Sequence, residues 1–267
     1  EVNDFTPEDK YDLFFSNASG NSGKHFEKYA RKLKKSVKIL YLTGPEPSIS
    51  NSLVKERYDN FKKRTKIHAD YMRVTDINFE KFIKYADYLL CIGEKDQFSV
   101  NTYKKYHKPI FSILPSSSPS LSFSNESYKL RDRKHFLYLA GSGLICKGVD
   151  LAIEAFLSTP DLVLHICGPE EDGIDKAYRN KFNNSSNIHY YGFVDIHGKI
   201  MRKLVNLCSF SLLHSASEGC ATSLTTTMRL GLPPIANYEA GMNIHETGLI
   251  IENNDQNIEN KKNICQF

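Results

Sequence analysis

No stretch of this 267-residue chain approaches the roughly 18 consecutive apolar residues of a membrane-spanning helix, so none is expected. The opening EVNDFTPEDK is polar and acidic and lacks the layout of a secretory leader. Cysteine is sparse, with six residues at 91, 146, 167, 208, 220 and 265 and no CxxC pair. Several lie in apolar runs such as DYLLCI and LVLHIC. That argues for small core residues in a reducing compartment, and against a disulfide frame or a zinc site. No internal repeat is present, which excludes solenoids and propellers. Basic residues are scarce in the second half. Residues 1–134 hold 25 Lys and Arg against 17 Asp and Glu (+8), whereas residues 135–267 hold 10 against 14 (−4). Such asymmetry points to one half meeting an anion: nucleic acid, a membrane surface or a phosphorylated substrate. With 40% hydrophobic and 25% charged residues, the chain can build a packed core.

What the chain does have is alternation. YDLFFS (11–16) reads as a strand, and the next segment sets Phe26, Tyr29, Ala30 and Leu33 on one helical face. VKILYL (37–42) is a β-rich run without polar alternation, suited to a sheet covered on both faces. A helix over 51–64 buries Val54, Tyr58 and Phe61, and ADYMRV (69–74) reads as a short strand. A helix over 78–86 carries Phe79, Phe82, Ile83 and Ala86, and strands DYLLCI (87–92) and PIFSIL (109–114) follow with a helix between. Ser, Pro and then charges break the pattern over 115–134. It restarts with HFLYLA, a helix from Lys147, LVLHIC, a helix near 173–183, IHYYG, a helix over 196–207, FSLLH, a helix over 220–230 and PPIAN. This predicts an α/β chain of two doubly wound parallel-sheet domains, 1–118 and 135–267, joined by a linker at 119–134. Ligands of such folds sit at the carboxyl ends of strands and in the cleft between domains.

The second half carries the chemistry. Gly141 and Gly143 would let backbone approach a ligand closely. Lys147 stands where free helix N–H groups and the dipole already favour an anion. It reads as a phosphate clamp or as a solvated lysine. Gly168, in CGPEED, marks a turn or the floor of a nucleotide site. Phe193 and Val194, after Gly192, expose backbone that could pair with a base edge. In HSASEGCATSLTTTMRLGLPPIAN a strand ends at His214, Ser217 is a candidate N-cap, Glu218–Gly219 opens a helix, and Gly231 closes it.

Taken in order, GSG…KG, CGP, YGFV, SASEG and MRLGLPPI resemble the C-terminal domain of GT-B-fold glycosyltransferases of the retaining family 4 type, the glycosyl transferases group 1. The likeness covers about 135–252 and extends more weakly over 11–118. It implies two Rossmann-like domains, the first incomplete, because this sequence starts later than that domain usually does. It implies a catalytic pair, Lys147 and Glu218, within a donor-binding set of Gly141, Ser142, Gly143, Lys147, Gly168, Phe193, Val194, Ser215, Glu218, Gly219, Cys220, Ala221, Thr222 and Thr226. In the family the lysine, and an arginine five residues before it, hold the donor pyrophosphate; that arginine is Ser142 here. The family's Glu-x7-Glu pair begins at Glu218, but its second member, which binds the ribose, is Thr226 here.

The resemblance implies a UDP- or GDP-sugar donor as substrate, no cofactor, no metal, and a glycan or lipid-linked acceptor in surface polysaccharide biosynthesis. The leaving pyrophosphate gains charge in the transition state, and a lysine and helix N-termini aimed at it supply electrostatic stabilisation. No DxD-type acid cluster is present. Asn17, Thr43 and His25 are the nearby candidates for an assisting base, His25 reading better as a surface helix residue. The basic stretch 24–38 (Lys24, Lys28, Arg31, Lys32, Lys34, Lys35, Lys38) is either a solvated face or a contact with anionic membrane. No recognition motif accompanies it, so nucleic acid is not an expected partner. The expected location is the cytoplasm, peripheral to the inner face of the membrane under the second alternative. Two rival functions remain: a catalytically silent module binding nucleotide or glycan, favoured by Ser142 and Thr226, and a sugar-nucleotide epimerase of the same fold.

Overall fold

The computed structural model of the chain describes residues 11–17, 22–75, 78–117 and 131–251. Most of the expected linker, the opening decapeptide and Cys265 lie outside the described residues. Two parallel sheets are present. The first contains β1 (Leu13–Asn17), β2 (Val37–Leu42), β3 (Tyr88–Ile92) and β4 (Ile110–Ile113), side by side in chain order. Four helices accompany it in sequence: α1 (Ser22–Lys32), α2 (Pro47–Thr65), α3 (Glu80–Ile83) and α4 (Phe98–Thr102). The second sheet alternates β5 (His135–Leu139), α5 (Val149–Leu157), β6 (Val163–Cys167), α6 (Asp172–Asn183), β7 (Ile188–Tyr190), α7 (Lys199–Leu207), β8 (Phe210–Leu213), α8 (Thr222–Arg229), β9 (Pro234–Asn237) and β10 (Leu249–Ile251). Its strand order, β10-β9-β8-β5-β6-β7, reverses direction between β5 and β8. This is the doubly wound arrangement, with its crevice outside the carboxyl ends of those two strands. The first sheet winds one way only, which is half of such an arrangement.

Each core follows from the apolar spacing. Phe26, Tyr29, Ala30 and Leu33 are all buried, and Phe26 and Ala30 pack with Leu40, Leu89, Phe82 and Ile83 on one face of the first sheet. Lys28, Arg31, Lys32, Lys34 and Lys35 are exposed, and Arg31 pairs with Glu27 one turn away at 2.7 Å. The opposite face of this sheet departs from the expectation of cover on both sides. Among the described residues Leu13, Phe15, Val37, Tyr88, Phe111 and Ile113 stay exposed there, because the strands alternate and no described helix lies over that side. The five described cysteines are buried and unpaired. No described helix is long and apolar enough to cross a membrane.

Helix α2 is the bridge. Glu46 caps it by accepting the Ile49 N–H at 3.1 Å, and Pro47 occupies the first helical position. Its apolar stripe Val54–Tyr58–Phe61 does not enter the first core. It joins Tyr138, Leu144, Ile145 and Ile174 of the second. Burying each such side chain contributes about 1.5–3 kcal/mol, so the stripe commits α2 to the second sheet. Arg64 pairs with Asp150 and Glu154, the Tyr58 hydroxyl donates to Glu171 at 3.0 Å, and Arg57 donates to the His214 carbonyl at 3.0 Å.

Three local expectations need correction. ADYMRV forms no strand and pairs with neither sheet. Residues 66–75 instead run irregularly over the second core, with Ile67 and Ala69 packed on it and Arg73 in the left-handed region at φ 65°. The helix expected over 78–86 is one α-turn extended by i→i+3 bonds, such as Tyr85 N–H to Phe82 and Ala86 N–H to Ile83, both 3.0 Å. Helix α8 starts at Thr222, not at Glu218, and Ser217 does not cap it. Its hydroxyl donates instead to Ser50 Oγ in α2 at 2.8 Å.

Candidate functional site

A cleft of about 720 Å³ opens where the carboxyl ends of the two sheets meet. One wall is Asn17 at the end of β1 and Thr43–Pro45 after β2; the other is Gly141, Ser142 and Lys147 after β5 and the run Ser217–Ser223 after β8. The cleft therefore coincides with the reversal point of the second sheet, where parallel α/β folds bind ligands.

At its floor lies an ion cluster. The Glu218 carboxylate accepts from Lys147 Nζ, from Ser215 Oγ at 3.2 Å, and from both terminal nitrogens of Arg73 at 3.1 and 3.2 Å. Burial alone would raise the Glu218 carboxyl, but the Lys147 and Arg73 charges and the hydrogen bonds hold it below the usual carboxylate range. Lys147 is itself held from behind. Buried Tyr138 donates to the Lys147 carbonyl and accepts the His214 N–H at 3.0 Å, so one phenol ties the loop after β5 to the end of β8. Glu171, bonded to Tyr58 and to the Ile145 N–H at 3.1 Å, anchors the same loop. Burial pushes the Glu171 carboxyl up.

One glycine is required by contact and another by its backbone conformation. A Cβ on Gly219 would lie 2.2 Å from the Thr43 carbonyl oxygen, so the two walls touch backbone to backbone there. Gly143, at φ +84°, has the Arg73 stem against it, with Cδ 3.0 Å from where a Cβ would sit. The glycine expected to admit a ligand accommodates an arginine from the other half of the chain.

The structure brings Gly141, Ser142, Lys147, Glu218, Gly219, Cys220, Ala221 and Thr222 together in the cleft. The other candidates do not line it. Ser215 is fully buried and reaches the cleft only through Glu218. Gly168 packs on Leu144, and Val194 lies in the core beside α7. Phe193 is 82% exposed. The Thr226 hydroxyl donates to the Thr222 carbonyl within its own helix at 2.8 Å. Of the candidates in the first half, Asn17 and Thr43 line the cleft, while His25 stacks on Tyr29. Sequence reasoning missed Arg73 altogether: it lies 145 residues from Glu218, and no spacing rule connects them.

With this geometry in place, comparisons give it a lineage. The model of the glycosyl transferases group 1 family matches residues 122–262, just over half of the chain. A search of the curated proteins finds no significant match. Solved structures share the fold at low identity. The pneumococcal O-GlcNAc transferase GtfA, solved with UDP and GlcNAc, superposes with a TM-score of 0.56 at 16% identity, over 88% of this chain and 45% of that one. TarM gives 0.59 at 16%, over 96% and 47%. Anabaena HepE, solved with UDP and glucose, gives 0.59 at 15%, over 96% and 68%. The chain thus spans about half the length of GtfA and TarM. The two-sheet parallel architecture is that of the GT-B fold, and the chain belongs to the glycosyl transferases group 1 family.

Proposed function

We propose that the protein transfers a sugar from a nucleoside-diphosphate sugar to a glycan or lipid-linked acceptor, in assembly of a surface polysaccharide. The carrying observation is the Lys147–Glu218 pair on the floor of the cleft at the strand reversal, in a chain of this family. Lys147 and the adjacent start of α5 would meet the leaving diphosphate, where negative charge grows as the glycosidic bond breaks. Glu218, ionised and preoriented, would receive hydroxyls of the donor sugar, and the Gly219–Thr222 backbone would lie along it. The acceptor would enter beside Asn17 and Thr43. UDP in the GtfA and HepE structures favours a uridine nucleotide, and GlcNAc and glucose there favour a hexose.

The test is release of free nucleoside diphosphate from a panel of UDP- and GDP-sugars, with and without glycan acceptors. Acceptor-dependent release supports transfer. An epimerised sugar nucleotide would assign the epimerase reaction instead. Binding without turnover in the full-length protein would make the cleft a recognition module.

A further inference from the structure

The glycine-rich loop after β5 contributes no positive side chain before Lys147, yet the cleft holds two cations, and the second comes from the first half of the chain. We infer that Arg73 is a phosphate-binding residue of the donor site, whose guanidinium leaves Glu218 for the diphosphate when a nucleotide sugar occupies the cleft. This rests on the reading of the cleft as a nucleotide-sugar site.

Four observations carry it. First, the charges do not cancel. Lys147, Arg73 and Glu218 together leave one surplus positive charge. Glu218 Oε1 already receives Lys147 Nζ and Ser215 Oγ as well as Arg73. Lys147 alone balances the charge of the carboxylate, so Arg73 can turn to an incoming anion without leaving Glu218 uncompensated. Second, the two cations differ in access. The Lys147 side chain is 9% exposed and the Arg73 side chain 36%. The arginine is the one with room to move, and its planar fork matches two phosphate oxygens at once.

Third, the loop is shaped around it. The stem of Arg73 lies against Gly143, where any β-carbon would crowd it, and this places the guanidinium beside the loop of Ser142. Fourth, the backbone that carries Arg73 is moored on both sides of it. Asn51 on α2 makes a two-way bond with the Thr75 backbone, at 2.6 and 3.0 Å, and the Tyr71 hydroxyl donates to Asp59 at 2.9 Å. Residues on both sides of Arg73 are therefore tied to α2, which is itself packed on the second core. The first half of the chain presents a fixed arginine stem to a site built by the second.

The experiment is calorimetry of the full-length protein with UDP, UMP, GDP and GMP, using wild type, Arg73→Ala, Arg73→Lys and Lys147→Ala, with ligand-free melting temperatures in parallel. A charge-assisted hydrogen bond lost to the diphosphate predicts that Arg73→Ala weakens the better-bound diphosphate about tenfold or more. The preference for diphosphate over monophosphate should shrink with it, and Arg73→Lys should fall between. An arginine that only neutralises Glu218 would lower the melting temperature and leave that preference unchanged, which would overturn the proposal. Lys147→Ala separates the two levels. If it weakens diphosphate binding while both Arg73 variants bind like wild type, Arg73 is excluded and the cleft reading stands. If wild type binds neither UDP nor GDP, or Lys147→Ala has no effect, the cleft reading fails and the role of Arg73 falls with it.

Discussion

Replacing Glu218 by glutamine removes one charge and almost no volume, and the ion cluster makes its cost large. The carboxylate faces Lys147, whose side chain is only 9% exposed, and Arg73. Glutamine keeps a single neutral acceptor for this set of donors and leaves Lys147 short of a counter-charge in a buried setting. Breaking a buried pair from one side costs about 3–5 kcal/mol. The acceptor retained by the amide returns part of this, so the expected loss is about 2–4 kcal/mol, or about 5–15 °C in melting temperature for a chain of this size. If Glu218 were merely a favourable acid near a helix start, the loss would be about 0.3–1 kcal/mol. The pH profile adds a sign. The folded-state pKa of Glu218 lies below its ordinary 4.5, so its stabilisation is present above pH 4.5 and lost as pH falls through the lower folded value. The gap between wild type and Glu218→Gln should therefore close on acidification. Thermal melts from pH 3 to 8 provide the assay. A gap under about 1 kcal/mol at neutral pH, or one unchanged by acid, would refute the account of the cluster.

Further outcomes follow from single contacts. Gly219→Ala drives a methyl onto the Thr43 carbonyl and must part the cleft walls, so it should cost about 1–3 kcal/mol in melts and increase hydrogen exchange at 43–45 and 217–221; a neutral result would show that the walls do not touch. Thr226→Val removes a hydroxyl that only back-bonds to Thr222, so stability should change by less than about 1 kcal/mol and discrimination against a 2′-deoxy nucleotide should not change. Altered 2′-deoxy discrimination would put that hydroxyl on the ribose. The bare face of the first sheet should bind a hydrophobic dye in this chain, and Phe15→Lys with Phe111→Lys should suppress that signal without lowering the melting temperature. A wild type silent to the dye would contradict the exposed face.

The sequence reading succeeded where structure is local and periodic. The apolar spacing of Phe26, Tyr29, Ala30 and Leu33 located α1, and the restart at HFLYLA located β5. The loops holding Lys147 and Glu218 were legible because glycine, charge and strand end coincide there. It failed where neighbours decide. ADYMRV has strand-like composition but joins neither sheet, because its segment is laid over the second core and tied to α2. Ser217 has N-cap chemistry, yet Ser50 takes its hydroxyl. The α2 stripe identifies a buried helix face without saying which core buries it, and Arg73 becomes a site residue only because that helix crosses over. Ser142 marked a missing cation in the sequence; the cation that approaches its loop comes from 69 positions upstream.

The central claim is that the cleft at the reversal of the second sheet holds the donor diphosphate on Lys147. A crystal structure of the full-length protein with saturating nucleoside diphosphate tests it most directly. The account predicts the diphosphate within hydrogen-bond distance of Lys147 Nζ, beside Gly141 and Ser142, with Glu218 released from at least one of its two cations. A nucleotide seated elsewhere, with the Lys147–Glu218–Arg73 cluster intact, would contradict it.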